Sequence, residues 1–103
     1  MDLNCTNILF IGGIKNKVEM EKINSLINEK LKCFYVDENI GWMEIGFFSE
    51  KVFPETKVKE VVERLETPMI QLGIISYAFY ENYVEYNLYK DGEWTKPLTS
   101  KML

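Results

Sequence analysis

The sequence predicts a single α+β domain, a ferredoxin-like βαββαβ sandwich with a C-terminal β-hairpin extension. Three observations carry that expectation. Apolar runs of strand length are closed by turn residues, two segments repeat apolar residues at helical spacing, and an alternating run near the C-terminus ends at Asp-Gly. Their order is strand, helix, strand, strand, helix, strand, then the hairpin. Two helices on one face of an antiparallel sheet accommodate it simply. At 103 residues the chain has room for one core, so residues 1–103 are read as one domain, with a loose tail from about 97.

Asn7 to Gly13 is a short apolar run closed by two glycines, the pattern of a buried strand with a tight exit. Asn16 stands three residues before Glu19, close to a capping box. Met20, Ile23, Ile27 and Leu31, with Leu26 beside them, then mark one face of a helix from about Lys17 to Lys32. Cys33 to Val36 reads as a short strand, with Asp37-Glu38-Asn39 as its turn. In the strand Trp42 to Phe48, Met43, Ile45 and Phe47 face one way and Trp42, Glu44 and Phe48 the other. Pro54 suits the first turn of a second helix, whose apolar face is Val58, Val61, Val62 and Leu65 and whose stop is Thr67-Pro68.

Met69 to Tyr80 reads as a long strand bent at Gly73. Glu81-Asn82 makes a tight turn into the alternating run Tyr83 to Tyr89, and Asp91-Gly92 turns again into a short strand at Glu93 to Thr95. From Pro97 onward the chain reads as an edge or a loose tail.

Composition narrows the function classes. The net charge of −4, with charges of both signs interspersed, argues against a phosphate backbone or an anionic membrane surface as partner. No apolar run approaches the ~20 residues that span a bilayer, and no secretory leader pattern is visible. Two cysteines do not make a disulfide framework, so a cytoplasmic protein with reduced thiols is expected. One arginine and one alanine beside abundant Ile, Asn, Lys and Glu fit an AT-rich genome, such as that of a low-GC bacterium or a mobile element.

Histidine is absent, which removes the commonest general base and the commonest nitrogen ligand. Ser-His-Asp and Cys-His catalysis are impossible within the chain, and two cysteines cannot fill a structural zinc site. No metal and no cofactor are expected. Glu44 and Glu85 are the carboxylates with aromatic neighbours, and desolvation there would be the route to acid/base chemistry. The bland reading is that both keep a solvated strand face soluble.

The expected site is therefore a contact surface. Trp42, Glu44, Tyr77, Tyr83, Glu85, Tyr89 and Trp94 are the candidate partner-binding residues, because tyrosine and tryptophan bury area while keeping a polar handle. Alternation sets Tyr83 and Tyr89 against the more apolar Val84, Tyr86, Leu88 face, which places the two tyrosines on the open side of the sheet. Replacing both by serine is then expected to weaken association more than folding. Gly12, Gly13, Lys15 and Lys17 form a weaker candidate, a strand-to-helix turn able to hold an anion. The turn lacks the glycine spacing of a P-loop or a dinucleotide fingerprint.

The expected function is a small acidic, non-enzymatic protein-interaction domain. It would meet a second copy of itself, as a homodimer, or a foreign protein, as an inhibitor or immunity-type protein does. The alternative is a regulatory domain with a small molecule at a dimer interface or at the Gly12-Gly13 turn. A carboxylate-based enzyme ranks last.

Overall fold

The computed structural model describes residues 5–50, 55–65, 70–95 and 98–101. The elements are β1 (Cys5–Gly12), α1 (Lys17–Lys30), β2 (Lys32–Asn39), β3 (Trp42–Ser49), α2 (Glu55–Leu65), β4 (Gln71–Ala78), a 3-10 turn (Phe79–Glu81), β5 (Tyr83–Lys90), β6 (Glu93–Trp94) and β7 (Leu98–Lys101). The fold is α+β, one antiparallel sheet with two helices. It does not match a bare βαββαβ order, because three more strands follow β4. The predicted boundary residues Pro54, Thr67-Pro68, Met69 and Pro97 lie outside the described residues.

Spatially the strands run β2-β3-β1-β4-β5-β6, with β7 paired to β5. Since β4 occupies one edge of β5, β6 and β7 share the other. β6 pairs Tyr89 and Lys90, and β7 pairs Tyr83 to Tyr86. The segment expected as an edge or loose tail thus contains a strand that covers the β5 backbone, which would otherwise be an open template for pairing.

Helix α1 forms where its cap predicts. The Glu19 N–H donates to Asn16 Oδ1 at 2.9 Å, and Ile23 and Ile27 are buried. Val58 and Val61 of α2 join the same core as Leu9, Ile11, Met43, Ile45, Phe47, Leu72 and Ile74, so both helices cover one face of the sheet. Lys30 pairs with Glu60 at 3.0 Å and Arg64 with Glu29 at 3.7 Å across the two helices.

Two turns and one strand bend differ from expectation. Asp37 to Asn39 belong to β2, and the hairpin turns instead at Ile40-Gly41, where Gly41 takes φ +83° without the steric cost of a side chain. The β4–β5 connection is wider than a tight hairpin, with Asn82 in the left-handed region (φ 51°) and its N–H bonded to Phe79 O. Gly73 does not bend β4, which pairs continuously with β1 and β5. Asp91-Gly92 turns as predicted, with both residues at positive φ and the Thr95 N–H donating to Leu88 O at 2.8 Å.

One part of the covered face is polar. Asn7, wholly buried, donates to Ser49 Oγ (2.9 Å) and Phe47 O (3.3 Å) and accepts from Ser76 Oγ (2.6 Å). Next to Ser76 on β5, Glu85 accepts from Tyr83 OH (3.0 Å) and Asn87 Nδ2 (2.8 Å). Each of these polar groups is bonded, so the network braces the sheet where it extends toward β5.

Candidate functional site

Period-2 alternation, applied to the observed register, decides which predicted site residues stand together. The face away from the helices is a grid of cross-strand rows. One row runs Lys32, Phe48, Thr6, Tyr77, Val84 from β2 to β5, and the next runs Tyr35, Gly46, Ile8, Ile75, Tyr86. A third runs Asp37, Glu44, Phe10, Gly73, Leu88, and Asn39, Trp42, Gly12 and Gln71 close the end.

Trp42, Glu44 and Tyr77 therefore lie on the open face. Tyr83, Glu85, Tyr89 and Trp94 do not, because their β4 partners are Ala78, Ser76 and Leu72, all on the helix side, and Trp94 pairs with Tyr89. Tyr89 and Trp94, with ring centroids 5.2 Å apart, pack against the main core. The expectation that the two tyrosines are on the open side is overturned for a physical reason. The buried polar groups Asn7 and Ser76 give Glu85 and Asn87 polar neighbours on the covered face, and the apolar set Val84, Tyr86, Leu88 is turned outward instead.

The open face is more aromatic than the predicted residues suggest. Phe10, Phe34, Trp42, Phe48 and Phe79 are 37%, 46%, 42%, 41% and 58% exposed, large apolar surface of a kind that soluble domains use for contacts. A register shift between Cys33 and Tyr35 sets Phe34 and Tyr35 together over Gly46. Phe34 packs on Phe48 with centroids 4.6 Å apart, and Tyr77 stacks on Phe79 at 5.5 Å. Tyr86 lies over Gly73 in the same way, its hydroxyl 2.9 Å from where a Cβ would stand. The two strand glycines thus let rings lie flat on the sheet. Phe10, Phe34 and Tyr35 were missed by sequence reasoning, and Tyr86 was set on the opposite, covered face. The available signal was an isolated glycine inside each of two strands, which marks a close approach.

Tyr35 donates to Glu44 Oε2 at 2.8 Å. Burial, then that hydrogen bond, then the charges of Glu44 and Asp37 push the Tyr35 phenol up to about 12. Glu44 is thereby a hydrogen-bonded carboxylate on the open sheet face. Burial also raises the Cys33 thiol, and burial followed by the charge of Glu81 raises Cys5. Both cysteines are free of disulfides.

The Gly12-Gly13 turn borders a separate groove of about 580 Å3. The start of α1 and the β2–β3 hairpin form it, with Lys15, Lys17, Met20, Asn39 and Ile40 among its lining residues. The Ile14 N–H donates to Gly41 O at 3.1 Å and ties the two loops together, while Gly13 takes φ +81°. Asn39 Nδ2 at this site is buried without a hydrogen-bond partner.

Compared with known proteins, the chain matches no family model, no curated protein and no solved structure. Among the described residues no helix is long and apolar enough to cross a membrane.

Proposed function

We propose that this is a non-enzymatic interaction domain that docks a protein on the open face of its sheet. We read β2-β3-β1-β4 with the two helices as a ferredoxin-like unit, extended by β5 to β7. The observation that carries the function is the exposed ring cluster of Phe10, Phe34, Trp42 and Phe48 across three adjacent strands. Apolar surface of this size gains from burial at about 25 cal/mol per Å2, and rigid rings lose little entropy on docking. Bases also stack on sheet aromatics, but Asp37 and Glu44 lie among these rings and repel phosphate. Unpaired thiols suit a reducing compartment, such as the cytoplasm.

The test is a pair of double variants. Trp42→Ser with Phe48→Ser leaves the melting temperature within a few degrees and abolishes association, read by sedimentation and by capture on tagged wild-type protein. Tyr83→Ser with Tyr89→Ser lowers the melting temperature instead, since Tyr89 packs against the core. A large stability loss for the first pair, with association unchanged, assigns those rings to the fold and refutes the reading.

A second reading rests on the groove beside the Gly12-Gly13 turn. Its two lysines and the unpartnered Asn39 amide offer contacts to a small anion such as a carboxylate or phosphate, beside the Glu38 carboxylate of the same lining and an α1 N-terminus that Asn16 already caps. Thermal stabilisation by millimolar phosphate or citrate, lost in Lys15→Ala with Lys17→Ala, supports it. A melting temperature indifferent to both anions excludes it.

A further inference from the structure

We propose that the occupant of the open face is a second copy of this chain, the sheets packing face to face about a two-fold axis. The inference rests on the interaction reading above and names its partner. Size is the first argument. Five strands at ~4.8 Å and eight residues at ~3.3 Å give a footprint of about 24 by 26 Å, roughly 600 Å2 before side-chain relief is counted. That is close to the ~800 Å2 of accessible surface each partner buries in a stable complex.

Charge is the second argument. The face carries Lys32 and Lys90 against Asp37, Glu44 and Glu93, charges of both signs in place of the single-sign patch that a strongly basic partner would meet. An apolar middle with mixed charges at its rim is best matched by a surface of the same kind.

The third argument is that the pattern complements itself. A two-fold axis in the interface plane, parallel to β1, keeps each row in place and reverses the order of the strands. Packed sheets then lie within about 30° of alignment. β1 meets the partner's β1, with Phe10 against the partner's Phe10. β3 meets the partner's β4, so Phe48 faces the partner's Tyr77. β2 meets the partner's β5, so Asp37 faces the partner's Leu88. Each contact occurs twice, as an isologous interface requires.

The experiment is sedimentation equilibrium of the full chain from about 1 to about 300 μM, the range in which a micromolar Kd is read directly. Phe10→Lys sets two like charges on the axis, and the dimer is expected to weaken by about 100-fold or more. Phe48→Lys and Tyr77→Glu each weaken it, and the charge exchange made by the two together restores it, a rescue that a merely structural role would not give. Trp42 fluorescence, read in a Trp94→Phe background, reports whether the face is covered. A dimer that Phe10→Lys dissociates and the charge exchange rescues supports the proposal. A monomer throughout, with Trp42 open to acrylamide, overturns the second copy and leaves the open-face reading standing. A dimer that survives Phe10→Lys with Trp42 still accessible overturns it too, by locating the contact elsewhere.

Discussion

Replacing Gly46 with alanine tests whether the aromatic face is built on its glycines. A methyl group at position 46 would stand 2.6 Å from two ring carbons of Phe34 and would overlap the ring of Tyr35. Non-bonded carbons rest at about 3.5–4.0 Å, so both rings must lift by about 1 Å or more. Forcing volume into a packed site costs about 1–3 kcal/mol. Moving Tyr35 also weakens its hydrogen bond to Glu44, a further ~1 kcal/mol. Removing glycine from a strand interior returns about 0.5–1 kcal/mol. The net expectation is a loss of about 1–3 kcal/mol, which for a domain of this size lowers the melting temperature by roughly 5–20 °C. Gly73→Ala is the internal control. There the nearest atom is the Tyr86 hydroxyl oxygen at 2.9 Å, with ring carbons at 3.4 and 3.5 Å, so the tip of one side chain has to give. Its expected effect is within about 1 kcal/mol of zero, the overlap and the glycine gain nearly offsetting. Thermal melts followed by circular dichroism compare the three proteins. A Gly46→Ala variant as stable as wild type, or less perturbed than Gly73→Ala, would refute the argument.

Alkaline titration gives another check. The Tyr35 phenol is raised to about 12 in the fold against an ordinary value of 10.0, so the folded state holds its proton more tightly than the unfolded chain. Its contribution is complete below pH 10 and is lost as pH rises through about 12; Tyr35→Phe flattens that part of the stability profile, and an unchanged slope excludes the linkage. Asn7→Ala removes three hydrogen bonds from a wholly buried site, with an expected cost of about 2–4 kcal/mol in urea unfolding. A cost below about 0.5 kcal/mol would mean that the network does not brace the sheet. With its thiol raised by burial, Cys33 reacts with iodoacetamide at neutral pH more slowly than free cysteine, and faster alkylation contradicts the assigned burial.

Local order was readable where one short-range signal dominates. The Asn16 cap and the Ile23, Ile27 spacing place α1, and Asp91-Gly92 places the last hairpin turn. The runs Cys5–Gly12 and Trp42–Ser49 are strands because their apolar content fits a buried pleat. Failures arose where the signal is long-range. Asp37 to Asn39 have turn composition yet extend β2, since pairing with β3 outweighs propensity. In β1 both alternating sets contain apolar residues, so periodicity could not show that Leu9 and Ile11 go under the helices while Phe10 faces outward.

The same limit governs the site. Trp42, Glu44 and Tyr77 share a face because their strands are drawn together around β1, and their own alternation implies it once one neighbour is placed. Tyr83, Glu85 and Tyr89 were set on the wrong face because alternation separates two sets of residues without saying which set is covered. Only the β4–β5 register, with Ser76 opposite Glu85 and Leu72 opposite Tyr89, answers that. The sequence by itself determined the α+β class, the succession of elements from β1 to β6 and the lack of histidine, all properties of neighbouring residues or of composition, while β7 lay in the segment read as an edge or loose tail. Tertiary structure decided which side of each strand meets the helices, and hence which aromatics remain exposed. Burial is set by contacts between strands far apart in the chain, and a one-residue change of register inverts it.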